Sequence, residues 1–153
     1  MKTLKTLKGQ EGFTLVEIIA VLIILGILAA VAVPRYIDLE TSAKTRALDA
    51  AIAELNGRES LAWADTKITY TGAWVVGTDA TQIWSANRMM KTSTDCGANG
   101  PPCLGTDYGW GAALPAAGST PPTTASLLFR GSSINLTRSV ASTSQPAVWR
   151  RAP

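Results

Sequence analysis

The longest predominantly apolar stretch of the chain lies close to its start, from Phe13 to Val33. It reads FTLVEIIAVLIILGILAAVAV and holds a single charged side chain, that of Glu17. As an α-helix, a run of this length spans about 30 Å, which matches the hydrocarbon core of a bilayer. A carboxylate inside such a segment costs about 2.5–3.5 kcal/mol on insertion scales, so it marks a functional position.

A second pattern follows Pro34, where apolar positions alternate with charged ones. Apolar residues recur there at steps of three and four, so they lie on one face of a helix. Together with the apolar run, this spacing predicts one helix from about Phe13 to Trp63. We expect it to be kinked or loosened between Gly26 and Pro34, because glycine weakens a helix and proline removes a backbone donor. The apolar positions are Ile37, Ala43, Ala47, Leu48, Ala51, Ile52, Leu55, Ala62 and Trp63.

Beyond Asp65 the helical spacing ends, and β-branched residues, aromatic residues and turn formers become frequent. The region 92–124 is rich in Gly, Pro, Ser and Thr and is predicted to be a loop. A tight hairpin is expected around Gly131-Ser132. The predicted elements are a strand over Lys67 to Val76, a short helix from Thr78 to about Met89 with Ile83, Trp84 and Met90 facing inward, strands over Ser126 to Arg130 and Ser133 to Val140, and an edge strand over Ala147 to Arg151.

A long helix followed by short strands and tight turns is typical of an α+β fold. We predict a long N-terminal α-helix, made of a membrane-spanning half and an amphipathic half, packed on a small antiparallel β-sheet. The chain has 153 residues, which suits one domain and an anchor. The predicted regions are a basic leader over 1–12, a transmembrane and assembly helix over 13–33, its amphipathic continuation over 34–64, and a β-rich head over 65–153.

The charge of the chain is concentrated at its start. The formal net charge is +3, and the first 12 residues account for +2 of it, with Lys2, Lys5 and Lys8 against Glu11. Nucleic acid is therefore not an expected partner, because the remainder has no strong basic bias. The chain has no histidine, the commonest general base and metal ligand. We predict no catalytic residues, no cofactor and no metal site.

Three interpretations of the first 35 residues remain open from the pattern alone. In the first, the apolar run is a plain transmembrane anchor held by its basic flank. In the second, it belongs to a secretory signal, with a cleavage site at Ala30-Val31-Ala32 and a soluble domain that begins at Val33. In the third, cleavage occurs on the near side of the run, after Gly12, and the run stays on the mature protein.

The residues around that junction favour the third interpretation. The sequence Gly12-Phe13-Thr14-Leu15-Val16-Glu17 resembles the cleavage and methylation motif of type IV prepilins, written G|FTLxE, and the likeness continues through IIAVLIILGILAAVAVPRY. The resemblance implies that prepilin peptidase cuts after Gly12 and that Phe13 becomes the N-methylated first residue. It implies an assembly role for Glu17, which could pair with the amino group of Phe13 in a neighbouring subunit. It also implies that the helix unwinds between Gly26 and Pro34 in assembled filaments.

The function that follows from this resemblance is structural rather than enzymatic. We expect a pilin that polymerises through its N-terminal helix into an extracellular type IV pilus filament. The expected partners are identical subunits, prepilin peptidase, the inner-membrane pilus assembly machinery and, before assembly, membrane lipid. The expected location is the inner membrane, as a single-pass protein, and then the pilus or fimbrium on the bacterial surface.

One alternative within the same resemblance is a pseudopilin of a type II secretion system. Major pseudopilins carry an acidic calcium-binding loop near the C-terminus, whereas no acidic residue follows Asp107 here. The segments Pro34 to Leu39 and Ser60 to Ala64 look like those of mannose-sensitive-haemagglutinin-type pilins. The pattern therefore favours a pilin of that type over a pseudopilin.

Two cysteines, Cys96 and Cys103, lie far from the apolar run and enclose a short loop. If the head is exported, as the resemblance implies, it enters an oxidising environment in which disulfides are favoured. The spacing of the two cysteines excludes a CxxC redox pair, and a two-cysteine metal site would lack further soft ligands. We therefore predict a Cys96–Cys103 disulfide.

The tryptophans and a set of arginines each allow two interpretations. We expect the five tryptophans to pack in the core and between subunits rather than to stack on nucleic acid bases. We expect the arginines to form a solvated face rather than a DNA-binding edge. These arginines are Arg130, Arg138, Arg150 and Arg151.

Overall fold

A computed structural model of the chain describes residues 12–69, 78–91 and 96–153. It divides into two compact units, Met1–Thr41 and Ser42–Pro153. The long helix and the small antiparallel sheet confirm the predicted α+β fold. The elements are helix α1 over Leu15–Thr69, helix α2 over Thr78–Ile83, and strands β1 over Tyr108–Trp110, β2 over Thr124–Phe129, β3 over Ser132–Arg138 and β4 over Trp149–Arg151.

The described part of the first unit is a helix with no buried side chain. Every residue from 12 to 41 is exposed, although most of them are apolar. By length and composition, this part of α1 is apolar enough to cross a membrane. The helix runs without interruption through Gly26 and Pro34, where the sequence predicts a kink or loosening. One missing donor at proline removes a single hydrogen bond, and the bonds of the flanking turns preserve the helical backbone.

In the second unit, α1 buries one face. The buried positions recur at steps of three and four, as the periodicity predicts. The helix continues past Trp63 to Thr69, so the predicted strand over Lys67 to Val76 is wrong over its first three residues, 67–69; the rest lies outside the described residues. Buried Thr66 continues the apolar face, and Lys67 Nζ donates to Thr143 O at 3.0 Å. These tertiary contacts outweigh the local β preference. The buried positions of α1 are Leu48, Ala51, Leu55, Glu59, Ala62 and Thr66.

The sheet has the order β1-β2-β3-β4 and every neighbouring pair is antiparallel. The β2–β3 hairpin turns at Arg130-Gly131, one residue before the predicted Gly131-Ser132, with Phe129 paired to Ser132. Both turn residues have positive φ, 43° for Arg130 and 82° for Gly131. A two-residue turn that follows the twist of the strands needs this conformation, and glycine adopts it without strain at the second position.

Two short elements differ from the prediction. Strand β1 lies inside the predicted loop 92–124. It was not predicted, because its three residues are too few to show an alternating pattern among glycines. Helix α2 ends at Ile83 instead of near Met89, and turns follow it. The inward positions predicted for this region, Ile83, Trp84 and Met90, are nevertheless buried.

The interface between α1 and the sheet contains a buried ion pair. Arg138 on β3 donates from Nε to Glu59 Oε1 at 2.5 Å and from Nη2 to Oε2 at 3.1 Å. Trp149 Nε1 donates to the same carboxylate at 3.2 Å. One turn earlier on α1, the amide of Asn56 accepts from Trp149 N at 2.7 Å and donates to Trp149 O at 3.0 Å. These bonds fix the second half of α1 against β3 and β4 in one register.

Candidate assembly site

The first turn of α1 holds the one charge of the apolar run in a specific arrangement. Thr14 donates to Glu17 Oε2 from its backbone N at 2.9 Å and from Oγ1 at 2.8 Å. In return, Glu17 N donates to Thr14 Oγ1 at 3.3 Å. The carbonyl of Thr14 accepts the first helical bond, from Ile18 N at 3.3 Å. Thr14 is therefore the N-cap of α1, and Thr14 with Glu17 forms a capping box.

This capping box was not predicted from the sequence, where the proposed partner of Glu17 is the amino group of Phe13 in a neighbouring subunit. The signal was present, since Thr-x-x-Glu ahead of an apolar run is the sequence pattern of a capping box. The box satisfies Oε2, whereas Oε1 accepts no hydrogen bond within the described residues. No lysine or arginine lies between Phe13 and Arg35, so this stretch contains no cationic side chain to balance the carboxylate.

Gly12 and Phe13 precede the capping box outside the helix. Both are exposed, and Phe13 has 83% of its surface free. A Cβ placed on Gly12 meets no atom within 4 Å. Among the described residues, the Gly12–Phe13 peptide bond is therefore exposed and outside any helix. Proteases cleave preferentially at exposed backbone of this kind.

Gly26 and Pro34 are not brought next to the capping box. They follow it along α1, and both are exposed. A Cβ on Gly26 would meet nothing within 4 Å, so packing among the described residues does not require a glycine there.

The loop closed by the two cysteines belongs to the second unit. Cys96 and Cys103 form a disulfide, as the sequence predicts. The loop is tied to α1 by Arg58 Nη1, which donates to Cys103 O at 2.7 Å. It is tied to β1 by Trp110, whose Nε1 donates to Pro102 O at 3.1 Å and whose N donates to Ala98 O at 2.9 Å. The loop is therefore part of the packed head.

The arginines do not form a continuous basic edge, because carboxylates neutralise three of the four. Arg138 contacts Glu59 in the core, Arg151 Nη2 lies 2.7 Å from Asp49 Oδ1, and Arg130 Nη2 lies 2.9 Å from Asp107 Oδ2. The hydrogen bond and the charge of Asp107 raise the pKa of Arg130 above its usual value. In addition, no cluster of acidic side chains and cysteines in the described residues could hold a metal ion.

Three of the five tryptophans pack in the core. Trp84, Trp110 and Trp149 are each at most 1% exposed. The ring of Trp149 lies 6.4 Å from that of Trp84 and 6.2 Å from that of Trp110, between centroids. Trp63 is half-buried and donates from Nε1 to Ser142 O at 2.9 Å. Trp74 lies outside the described residues.

Comparison with known proteins relates the first part of the chain to a known motif. The family model described as the prokaryotic N-terminal methylation motif matches residues 7–33. The type IV narrow pilus major component PilA5 of Thermus thermophilus is 40% identical over 57 residues, which make up 37% of this chain and 49% of that protein. A fimbrial protein of Pseudomonas aeruginosa is 40% identical over 74 residues, with 41% of this chain and 47% of that protein covered.

The chain thus spans about half the length of the curated relatives it matches. No solved structure matches it. The motif, the named relatives and the α+β architecture nevertheless agree with one another. Residues 7–33 carry the prokaryotic N-terminal methylation motif, and over the matched residues the chain is similar to subunits of type IV pili.

Proposed function

We propose that this chain is a pilin, a structural subunit that polymerises through the first part of α1 into an extracellular type IV pilus filament. The observation that carries the proposal is the apolar, wholly exposed helix that begins with a capped carboxylate inside a methylation motif. A helix of this kind needs an apolar environment, which the described residues of the chain do not supply. A bilayer supplies it before assembly, and the helices of identical subunits supply it afterwards.

Processing is the first step of the proposed function. Prepilin peptidase removes residues 1–12 by cutting after Gly12, and Phe13 then carries the N-methylated amino group. The exposed backbone at Gly12–Phe13 supports this step. The processed subunit is held in the inner membrane by a single pass of α1, with the head outside the cytoplasm, until the assembly machinery draws it into the filament.

Docking is the second step. Because Thr14 occupies Oε2 of Glu17, Oε1 is left to accept a bond from the amino group of Phe13 in the subunit next along the filament. An ion pair in an apolar medium is strongly favoured over an isolated carboxylate, so it sets the axial position of each incoming helix. We further propose that α1 unwinds between Gly26 and Pro34 on assembly, where the helix lacks a backbone donor and a stabilising side chain.

Cleavage at Gly12–Phe13 is the step on which the rest depends, and mass spectrometry tests it. We expect surface filaments to contain this chain as their main band, with an intact mass and an N-terminal sequence that begin at methylated Phe13. A Gly12→Val variant is expected to stay uncleaved in the membrane and to yield no filaments. A mature chain that begins at Val33 would overturn the proposal, because it would lack the anchor and Glu17.

A further inference from the structure

A polar groove in the second unit is separate from the assembly segment. It lies beside strands β3 and β4 and the segment that joins them, and its volume is about 390 Å³. Small-molecule sites commonly measure about 300–1,000 Å³, so this groove has the size of a ligand site. The lining residues used below are Thr137, Ser139, Gln145, Pro146, Val148 and Arg150.

Two arginines line this groove, and Glu59 neutralises the first of them, Arg138, in the core, so the unpaired charge is that of Arg150. Its neighbour Trp149 points into the core, so the alternation of a strand directs Arg150 to the opposite, outer face, beside its pairing partner Thr137. Arg150 makes no ion pair within the described residues, in contrast to Arg151 on the same strand, which pairs with Asp49. Among the described residues, no carboxylate lines the groove. The guanidinium is therefore available to an anion.

The other groups in the groove suit a sugar. Within the described residues, the side chains of Thr137 and Gln145 make no hydrogen bond, so a hydroxyl and an amide are open to a ligand. The Ser139 hydroxyl accepts from Val148 N at 2.8 Å and still has its own proton to donate. Pro146 and Val148 add an apolar wall on which the C–H face of a sugar ring can lie.

The connection between β3 and β4, which carries Gln145 and Pro146 of the groove, is fastened to α1 through two residues that precede them. Trp63 Nε1 donates to Ser142 O at 2.9 Å, and Lys67 Nζ donates to Thr143 O at 3.0 Å. Two lining residues are also joined to each other by the backbone, since Ser139 N donates to Val148 O at 3.0 Å. A preformed site loses little conformational entropy when a ligand binds.

We propose that this groove binds a carboxylate-bearing sugar, such as a hexuronate unit of an acidic polysaccharide. The fork of Arg150 matches a carboxylate, with two parallel N–H donors for two oxygens. Thr137, Ser139 and Gln145 then bind ring hydroxyls. The inference is independent of polymerisation, since every residue it uses lies in the second unit.

The test is a titration of the full-length processed protein in detergent micelles, followed by NMR of the arginine Nε–H signals. Sodium galacturonate is the probe, galactose is the neutral control and sodium sulfate is the simple anion. We expect galacturonate to shift the Arg150 signal in a saturable way. Arg150→Gln should raise the Kd by about tenfold or more, in line with the loss of a charged hydrogen bond. Arg150→Lys, which keeps the charge without the fork, should fall between.

Arg151→Gln is the matched control, because it removes the same charge one residue away on the other face of β4. It should leave the Kd for galacturonate unchanged. The tryptophan Nε1–H signals report whether each variant keeps its fold. The proposal fails if galacturonate does not shift Arg150, if galactose binds as tightly as galacturonate, or if sulfate binds with the same Kd. It also fails if Arg151→Gln weakens binding as much as Arg150→Gln.

Discussion

The two parts of α1 share one helix but differ in what covers them. In the described residues up to 41 every side chain is exposed, including Ile18 at 47% and Leu39 at 69%. In the second unit, by contrast, Leu48 and Leu55 are 2% and 0% exposed against the sheet. The second part is therefore stabilised by its own chain, whereas the first part depends on a bilayer or on other chains.

Two carboxylates, one in each part of α1, also differ in whether the chain itself binds them. Glu59 is fully buried, and its oxygens accept three bonds, two from Arg138 and one from Trp149. Glu17 is bonded only by Thr14 within the described residues, through one oxygen. A carboxylate whose bonds are all made within the chain stabilises the fold. One that keeps a free oxygen in an apolar helix is suited to bind a partner.

The largest expected effect comes from removing the second kind of carboxylate. Glu17→Leu deletes the only charge of the apolar run, which makes membrane insertion easier by a few kcal/mol on insertion scales. The variant should be exported, processed and retained in the membrane at normal levels, yet give few or no surface filaments. Membrane fractionation, with shearing and electron microscopy of the same cells, measures both quantities.

Glu17→Asp is the matched control for that experiment. It keeps the charge with a shorter reach, so the filament yield should be intermediate. Wild-type yield from Glu17→Leu would show that this residue has no part in docking. The proposed difference between Glu59 as a stabilising residue and Glu17 as a docking residue would then be wrong.

The converse variant, Glu59→Gln, should affect the head and leave the first part of α1 unchanged. It leaves the Arg138 guanidinium buried without a counter-charge, and breaking a buried pair typically costs about 3–5 kcal/mol. We expect a loss of this size in the free energy of unfolding, measured by tryptophan fluorescence in urea on the full-length protein in detergent. Glu54→Gln, which breaks the exposed pair with Arg58, should cost about 1 kcal/mol or less. Equal losses from the two variants would contradict the structural role of Glu59.

The disulfide should contribute less than the buried ion pair. Changing both Cys96 and Cys103 to Ser removes a short closed loop, for which the chain-entropy relation gives roughly 2.5 kcal/mol. The hydrogen bonds of Arg58 and Trp110 to the loop remain, so we expect local loosening rather than global unfolding. Faster hydrogen exchange in the double variant, confined to residues 96–110, would agree with local loosening. Free thiols in peptides mapped from native filaments would contradict the disulfide in the assembled state.

The sequence was most informative where a pattern is long. The run from Phe13 to Val33 and the repeating apolar positions after Pro34 were enough to predict α1. The strand and turn residues predicted the position of the β2–β3 turn to within one residue and the outer ends of the two strands to within two. The methylation motif needed only local spacing, because the residues that carry it are consecutive. These features depend on neighbours in sequence, which a single chain displays directly.

Features that depend on distant neighbours were not predictable. The Glu59–Arg138 pair joins residues 79 positions apart, and neither carries a local signal of its partner. The extension of α1 to Thr69 depends likewise on packing against residues near 143. Strand β1 is defined by its pairing with β2 rather than by its own three residues. The groove around Arg150 appears only when β3, β4 and their connection are placed together.

The smallest expected effect tests whether the capping box prepares Glu17 for docking. Thr14→Val keeps the shape of the side chain but removes the hydroxyl, which donates to Glu17 Oε2 and accepts from Glu17 N. The backbone donor of Thr14 remains, so the carboxylate is held by one bond instead of two. Loss of an N-cap side chain costs about 1 kcal/mol, and a less fixed carboxylate should dock less often. We therefore expect a reduced filament yield from Thr14→Val and a nearly normal yield from Thr14→Ser, which restores the hydroxyl.

The filament yield is measured from quantified shear fractions of cells with equal membrane levels of each variant. Hydrogen exchange of the Glu17 amide reports whether the cap itself is weakened. If Thr14→Val abolished filaments as fully as Glu17→Leu, the hydroxyl would have to contact the neighbouring subunit directly. A wild-type yield with a weakened cap would show that docking does not depend on how the carboxylate is held.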